Sequence, residues 1–129
     1  MRRNVETTPD MRHVMIVEDD AWVRRAIAHR AMDAQWRVTT LNDGRELERM
    51  LQDEPADLLV IDLGLPHVDG LSLVEELRSR GIGIPVIIIT AYELPHLRTT
   101  VSGAGANDLL QKPFDTDDLF QRMERLLAA

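Results

Sequence analysis

Several short stretches of this sequence end in residues that could do chemistry together. Glu18-Asp19-Asp20, Asp62, Thr90 and Gln111-Lys112-Pro113 each follow a short apolar segment. Carboxylates gathered in one crevice repel one another, so such a group persists only if something positive neutralises it. A hard divalent cation does so, and Mg²⁺ typically takes one or two carboxylates together with waters and a phosphate. Lys112 would supply a second positive charge and Thr90 a hydroxyl donor. The set could therefore bind the oxygens of a phosphoryl group attached to Asp62. Each piece alone has a plainer role. Acidic residues between a strand and a helix cap the helix and meet its dipole, Asp62 ahead of Gly64-Leu65-Pro66 could shape a turn, Thr90 could cap a helix, and Lys112 could be a solvated charge. The combination favours one site, because separate segment ends supply what a single site requires.

The elements that must position these residues alternate in type. Residues 14–17, 58–61 and 86–89 are short, apolar and largely β-branched, the pattern of strands buried on both faces. Residues 37–41 are a weaker, edge-like candidate, and 106–110, preceded by Gly103 and Gly105, are a fifth. Helical patterns lie between them. Residues 20–34 place Val23, Ile27 and Ala31 at four-residue intervals; 45–52 carry Leu47 and Leu51; 71–80 carry Leu73, Val74 and Leu77. The last helix follows Asp115, an N-cap candidate with Asp118 three positions on, and aligns Leu119, Met123 and Leu126/Leu127. Residues 94–102 make the poorest helix, with Pro95, Thr99, Thr100 and Val101 working against it. This alternation implies an α/β fold with a five-stranded parallel sheet and helices on both faces. Right-handed crossovers put the carboxyl ends of all strands on one edge, where open α/β sheets bind ligands.

Composition narrows the function further. The chain has 129 residues, 44% hydrophobic and 29% charged, which suits one globular domain. Without cysteine there are no disulfides, thiolate zinc sites or cysteine nucleophiles. The net charge of −7 argues against direct nucleic-acid contact, which needs a basic face. The apolar run at 85–89 is too short to span a bilayer, so no membrane partner is expected. Residues 1–12 lack the apolar stretch of a signal peptide, and a cytoplasmic setting is expected.

With the site and its elements in place, Val14-Met15-Ile16-Val17-Glu18-Asp19-Asp20 resembles the first strand and acidic pair of bacterial response-regulator receivers. Val60-Ile61-Asp62-Leu63-Gly64-Leu65-Pro66, followed by Asp69-Gly70, is similar to that family's phosphoacceptor strand and loop. Ile87-Ile88-Ile89-Thr90-Ala91 is similar to its switch-threonine strand, and the run from Gly105 to Phe114 to its closing lysine motif. The resemblance covers residues 12 to 129, leaving 1–11 as an expected flexible tail. It implies a flavodoxin-like, doubly wound sheet of order 2-1-3-4-5. It implies a two-component or phosphorelay role, in which Asp62 takes a phosphoryl group from a sensor histidine kinase or a histidine phosphotransfer protein. Mg²⁺ (or Mn²⁺) would be held by Asp19, Asp62, Glu18 and the backbone carbonyl of Gly64. Lys112 would stabilise the phosphoryl oxygens, Thr90 would move toward them, and the Lys112–Pro113 peptide would be cis. The resemblance implies no enzyme activity beyond the chain's own phosphorylation and dephosphorylation. A homodimer through the fourth helix, fifth strand and fifth helix would be in keeping with it.

The sequence departs from the family pattern at two positions. The switch aromatic falls at Leu109, and Glu18 replaces the commoner Asp. Three further readings bound the function. A haloacid-dehalogenase-type phosphatase would need a second Asp two positions after the nucleophile, where this chain has Gly64. A pseudo-receiver would act by protein contacts without phosphate. The chain could be a stand-alone receiver or part of a longer regulator. Trp22, in the first turn of the first helix, is either packed in the core or an aromatic at the solvent edge, against a docking anchor for a partner, and His67 is expected to be a solvated loop residue.

Overall fold

The computed structural model describes residues 11–93 and 95–128. Of the expected tail at 1–11, residues 1–10 lie outside the described residues, as does Leu94 of the fourth helical pattern. Five strands alternate with five helices. In chain order they are β1 (His13–Val17), α1 (Ala21–Asp33), β2 (Arg37–Leu41), α2 (Leu47–Asp53), β3 (Leu58–Asp62), α3 (Gly70–Ser79), β4 (Val86–Thr90), α4 (Leu97–Ala104), β5 (Asp108–Gln111) and α5 (Thr116–Ala128). All strand pairs are parallel, and the sheet order is β2-β1-β3-β4-β5. This is the 2-1-3-4-5 arrangement that the family resemblance implied.

The strand pleat divides the core in two, because successive side chains point to opposite faces. Met15, Val17, Leu59, Ile61, Val86, Ile88 and Leu109 pack with Leu47 of α2, Leu73 and Leu77 of α3 and Val101 of α4. Val14, Ile16, Leu58, Val60, Ile87, Ile89 and Leu110 pack with Ile27 of α1 and Leu119 and Met123 of α5. Helices therefore cover both faces, and β1, β3 and β4 are buried throughout. Burying each such branched side chain stabilises by roughly 1.5–3 kcal/mol.

Helix starts follow the acidic residues. Asp20 caps α1 by accepting from the N–H groups of Trp22 and Val23, Asp69 caps α3 through Ser72 N–H, and Asp115 accepts from Asp117 N–H ahead of α5. Most boundaries lie within two residues of the sequence expectation, and two of the departures have a local cause. The fourth helix begins at Leu97 rather than at 94, because Pro95 has no N–H and His96 is left-handed with φ 63. The fifth strand begins at Asp108 rather than at 106. Asn107 is spent on a clasp instead, its side-chain oxygen accepting from Val86 N–H at 2.8 Å and its own N–H donating to Val86 O at 2.8 Å.

Candidate functional site

The register of the sheet brings the strand-end residues together. Asp62 ends β3 opposite Ile89, so Thr90 lies one position further along β4, and Gln111 pairs with Thr90 immediately before Lys112. Glu18 follows β1, and its N–H donates to Leu41 O at 3.0 Å, extending the ladder into the site. Glu18 is fully buried, with Asp62 and Thr90 at 5% and 1% exposure, while Asp19 is exposed. The loop after Asp62 folds back tightly: Gly70 N–H donates to Leu63 O at 3.0 Å. A Cβ on Gly70 would lie 2.3 Å from the Asp62 carbonyl oxygen, so only glycine allows this approach.

One ammonium group joins two of the carboxylates. Lys112 Nζ lies 2.7 Å from Glu18 Oε1 and 3.4 Å from Asp62 Oδ1. Lys112 is the chain's single lysine among 15 cationic residues; every other one is arginine. The Lys112–Pro113 peptide is cis, as the resemblance implied. Asp62 Oδ1 also accepts from Gly64 N–H at 3.3 Å, and Glu18 Oε2 from Asp20 N–H at 3.1 Å. Thr90 Oγ1 accepts from Tyr92 N–H at 2.9 Å.

Burial dominates the electrostatics of Glu18. Desolvation lifts its pKa from 4.5 to about 7, and the Asp62 charge adds to that rise; the contacts with Lys112 and Asp20 N–H oppose it without cancelling it. Burial alone would lower Lys112, but the Glu18 and Asp62 carboxylates outweigh it and hold the ammonium above its ordinary value. The two directions agree physically. One lysine faces two carboxylates, so it stays charged while the buried acid remains under-compensated.

That deficit bears on whether a divalent cation fits. Glu18 Oε1 is a buried oxygen without a directional hydrogen-bond partner. The nearby ammonium gives it a charge at contact distance but is not aligned as a donor. Oxygens of Glu18, Asp19 and Asp62 lie within 4.8 Å of one another. An all-oxygen, acidic set with an unsatisfied atom is the donor chemistry of a hard cation such as Mg²⁺.

The structure thus gathers Glu18, Asp19, Asp62, Gly64, Thr90 and Lys112 at one edge. Leu109 is not at that edge but two positions before the end of β5, buried at 8% exposure among the α2–α4 face residues. Trp22 is 80% exposed beside the β1–α1 loop, and His67 is exposed with φ 69. Sequence reading missed Arg24, whose guanidinium donates to the backbone carbonyls of Glu18 and Asp19 at 2.9 and 3.3 Å and so braces the acidic loop. Nothing in its helical spacing distinguishes it from the neighbouring Arg25.

Comparison with known proteins agrees with this arrangement. A family model described as the response regulator receiver domain matches residues 14–124. The transcriptional regulatory protein PhoP of Escherichia coli (strain K12) is 35% identical over 114 residues, 88% of this chain and 51% of that protein. The virulence transcriptional regulatory protein PhoP of Salmonella choleraesuis (strain SC-B67) is 36% identical over 117 residues, 91% of this chain and 52% of its own length. The chain thus spans about half the length of these curated relatives. Among solved structures, the Francisella response regulator 1452 receiver domain superposes with a TM-score of 0.86 at 30% identity, covering 91% of this chain and 97% of that one. The Vibrio cholerae chemotaxis protein CheY4 gives 0.83 at 27% identity, covering 90% and 98%. Among the described residues, no helix is long and apolar enough to cross a membrane.

Proposed function

The chain belongs to the response regulator receiver domain family, and on that premise we propose that residues 12–129 accept a phosphoryl group on Asp62 in a two-component or phosphorelay system. The observation that carries this reading is the convergence of three carboxylates whose oxygens lie within 4.8 Å, with Lys112 bridging Glu18 and Asp62. An Asp62 oxygen attacks phosphorus of a donor phosphohistidine, the P–N bond breaks, and the imidazole leaves with its electron pair. Lys112 Nζ, already 3.4 Å from Asp62, receives the charge of the phosphoryl oxygens. Thr90 offers a hydroxyl from the adjacent strand. Glu18, Asp19, Asp62 and the Gly64 carbonyl would hold Mg²⁺ or Mn²⁺, which supplies neutralisation of the carboxylates and of the incoming phosphoryl charge.

The phosphodonor in this reading is a sensor histidine kinase or a histidine phosphotransfer protein, and the setting is the cytoplasm. The output travels through α4, β5 and α5. That surface carries the exposed Arg98 and the Asp108–Arg122 ion pair, at 3.0 Å, and would also serve a homodimer. Similarity to about half of the PhoP regulators supports a place within a longer transcriptional regulator. A phosphatase of the haloacid-dehalogenase type is disfavoured by Gly64, and the pseudo-receiver reading by the complete set of charged groups.

Acetyl phosphate with Mg²⁺ tests the proposal. The wild type should gain one labile phosphoryl group by intact mass, and Asp62→Asn, near-isosteric, should fold and gain none. An adduct that persists on Asp62→Asn would refute the nucleophile. Continuous phosphate release would indicate a phosphatase, and no adduct on the wild type would favour a pseudo-receiver.

A further inference from the structure

The aromatic residue beside the site is Tyr92, two positions beyond the end of β4; its backbone is held by one hydrogen bond and its ring faces the open side of Gly64. Its backbone N–H donates to Thr90 Oγ1 at 2.9 Å. Its ring stands against Gly64: a Cβ on Gly64 would meet Tyr92 Cε2 at 3.6 Å and the phenolic oxygen at 3.7 Å. The residue is 54% exposed, and its ring lies a contact distance beyond the space a Gly64 Cβ would take, so glycine restrains it only lightly. The same segment borders an open groove of about 270 Å³ whose lining includes Thr90, Tyr92, Leu97, Leu109 and Gln111.

We propose that Tyr92 reports the state of Asp62: when a phosphoryl group occupies Asp62, the Tyr92 ring leaves Gly64 and enters the groove beside Leu109. The inference rests on the phosphoacceptor reading given above. Thr90 follows Ile89, the register partner of Asp62. To donate to a phosphoryl oxygen there, the Thr90 hydroxyl must turn away from Tyr92 N–H or carry the 91–93 segment with it. The first movement releases the amide that fixes residue 92, and the second displaces it. Either way the ring loses its seat on Gly64. The groove is the adjoining cover for a half-exposed aromatic, and burying that ring is favourable. Leu109 lines the groove at 8% exposure and is too short to fill it. An aromatic at position 109 would compete for this space; leucine leaves it free. The moving aromatic is therefore placed after β4 rather than on β5, and its travel changes the surface around His96 and Leu97 at the start of α4.

Tyr92 is the chain's single tyrosine, so labelling with 3-fluorotyrosine gives one ¹⁹F resonance that reads this ring alone. Mg²⁺ and beryllofluoride serve as the probe, because the fluorides of the bound adduct report occupancy independently of the ring. In the wild type the ring resonance should shift on saturation, and its H₂O/D₂O isotope shift should shrink as the ring is covered. Thr90→Val removes the hydroxyl and keeps the shape. At beryllofluoride concentrations that saturate this variant, its ring resonance should stay in place. Leu109→Phe fills the groove and should also hold the ring on Gly64 with Thr90 intact. Bound beryllofluoride with an unmoved wild-type ring, or an equal shift in Thr90→Val, would overturn the inference and leave the phosphoacceptor reading standing. If no beryllofluoride binds the wild type, the phosphoacceptor reading fails and takes this inference with it.

Discussion

Replacing Glu18 by glutamine should stabilise the metal-free protein above neutral pH, and the gain should vanish in mild acid. Glu18 is fully buried, and its pKa rises from 4.5 to about 7 on folding. A raised acid is bound more tightly to its proton in the folded state. Its favourable contribution is complete below pH 4.5 and is lost as pH climbs through about 7. At about 1.4 kcal/mol per pH unit, that interval corresponds to about 3 kcal/mol of wild-type stability. Glutamine keeps an oxygen for Asp20 N–H, adds no charge and does not titrate. The difference between the two proteins therefore isolates this group from the other carboxylates. Lys112 does not interfere, because its value is held above 10.5, outside the window. Urea unfolding in EDTA, followed by far-UV circular dichroism from pH 4.5 to 8, measures the difference directly. Glu18→Gln should gain about 3 kcal/mol on the wild type across that range. Saturating Mg²⁺ should reduce the gain, since the cation neutralises the ionised wild-type group. A flat difference, or a wild type that gains on the variant as pH rises, would refute the claim that burial outweighs the lysine.

Other substitutions test neighbouring parts of the structure. Asp19→Ala should remove most of the rise in melting temperature that Mg²⁺ gives the wild type, and an undiminished rise by scanning fluorimetry would place the cation elsewhere. Gly70→Ala should cost roughly 1–3 kcal/mol, the usual range for overpacking, and should slow phosphorylation by acetyl phosphate, because the added Cβ meets the Asp62 carbonyl. Unchanged stability and rate would mean that the loop gives way freely. Arg78 donates to Gly105 O, Ile82 O and Asn107 Oδ1 at 3.0, 2.7 and 3.2 Å. Losing that three-way clasp in Arg78→Ala should cost about 2–4 kcal/mol in urea unfolding, and Arg78→Lys should recover little of it, because a single ammonium lacks the planar spread of donors.

The site was legible in the sequence because its chemistry is concentrated at strand ends, and strands buried on both faces announce themselves as unbroken apolar runs. Ile87-Ile88-Ile89 can hardly be anything else, and Thr90 then falls where a ligand would meet it. Helix pattern was nearly as clear: Val23, Ile27 and Ala31 face inward, while Trp22, one position off that stripe, is turned to solvent. What could not be read were contacts made between residues far apart in the chain. His13 looks misplaced at the start of a buried strand until its ring is found between Pro55 O and Thr39 Oγ1, both at 2.8 Å. Arg78 reads as an ordinary solvated helix residue, yet it binds oxygens up to 29 residues away. The weak fourth helix was foreseen from Pro95 and the β-branched residues, but its start was set by a left-handed His96, a conformation histidine adopts more often than most residues yet too rarely to be read from sequence.

The solitary lysine has a practical consequence. Reagents aimed at primary amines, from fluorescent esters to cross-linkers and activated sensor surfaces, will find one side-chain target in this chain, and it lies between Glu18 and Asp62. Such labelling would modify the residue that the charged cluster depends on, and any loss of function would be easy to mistake for damage to the fold. Engineered cysteine chemistry, in a chain that has no cysteine of its own, leaves that position intact. Conversely, the rate at which an amine reagent consumes Lys112 is a direct chemical gauge of how firmly its two carboxylate neighbours hold the ammonium, and anything that enters the cluster should change that rate.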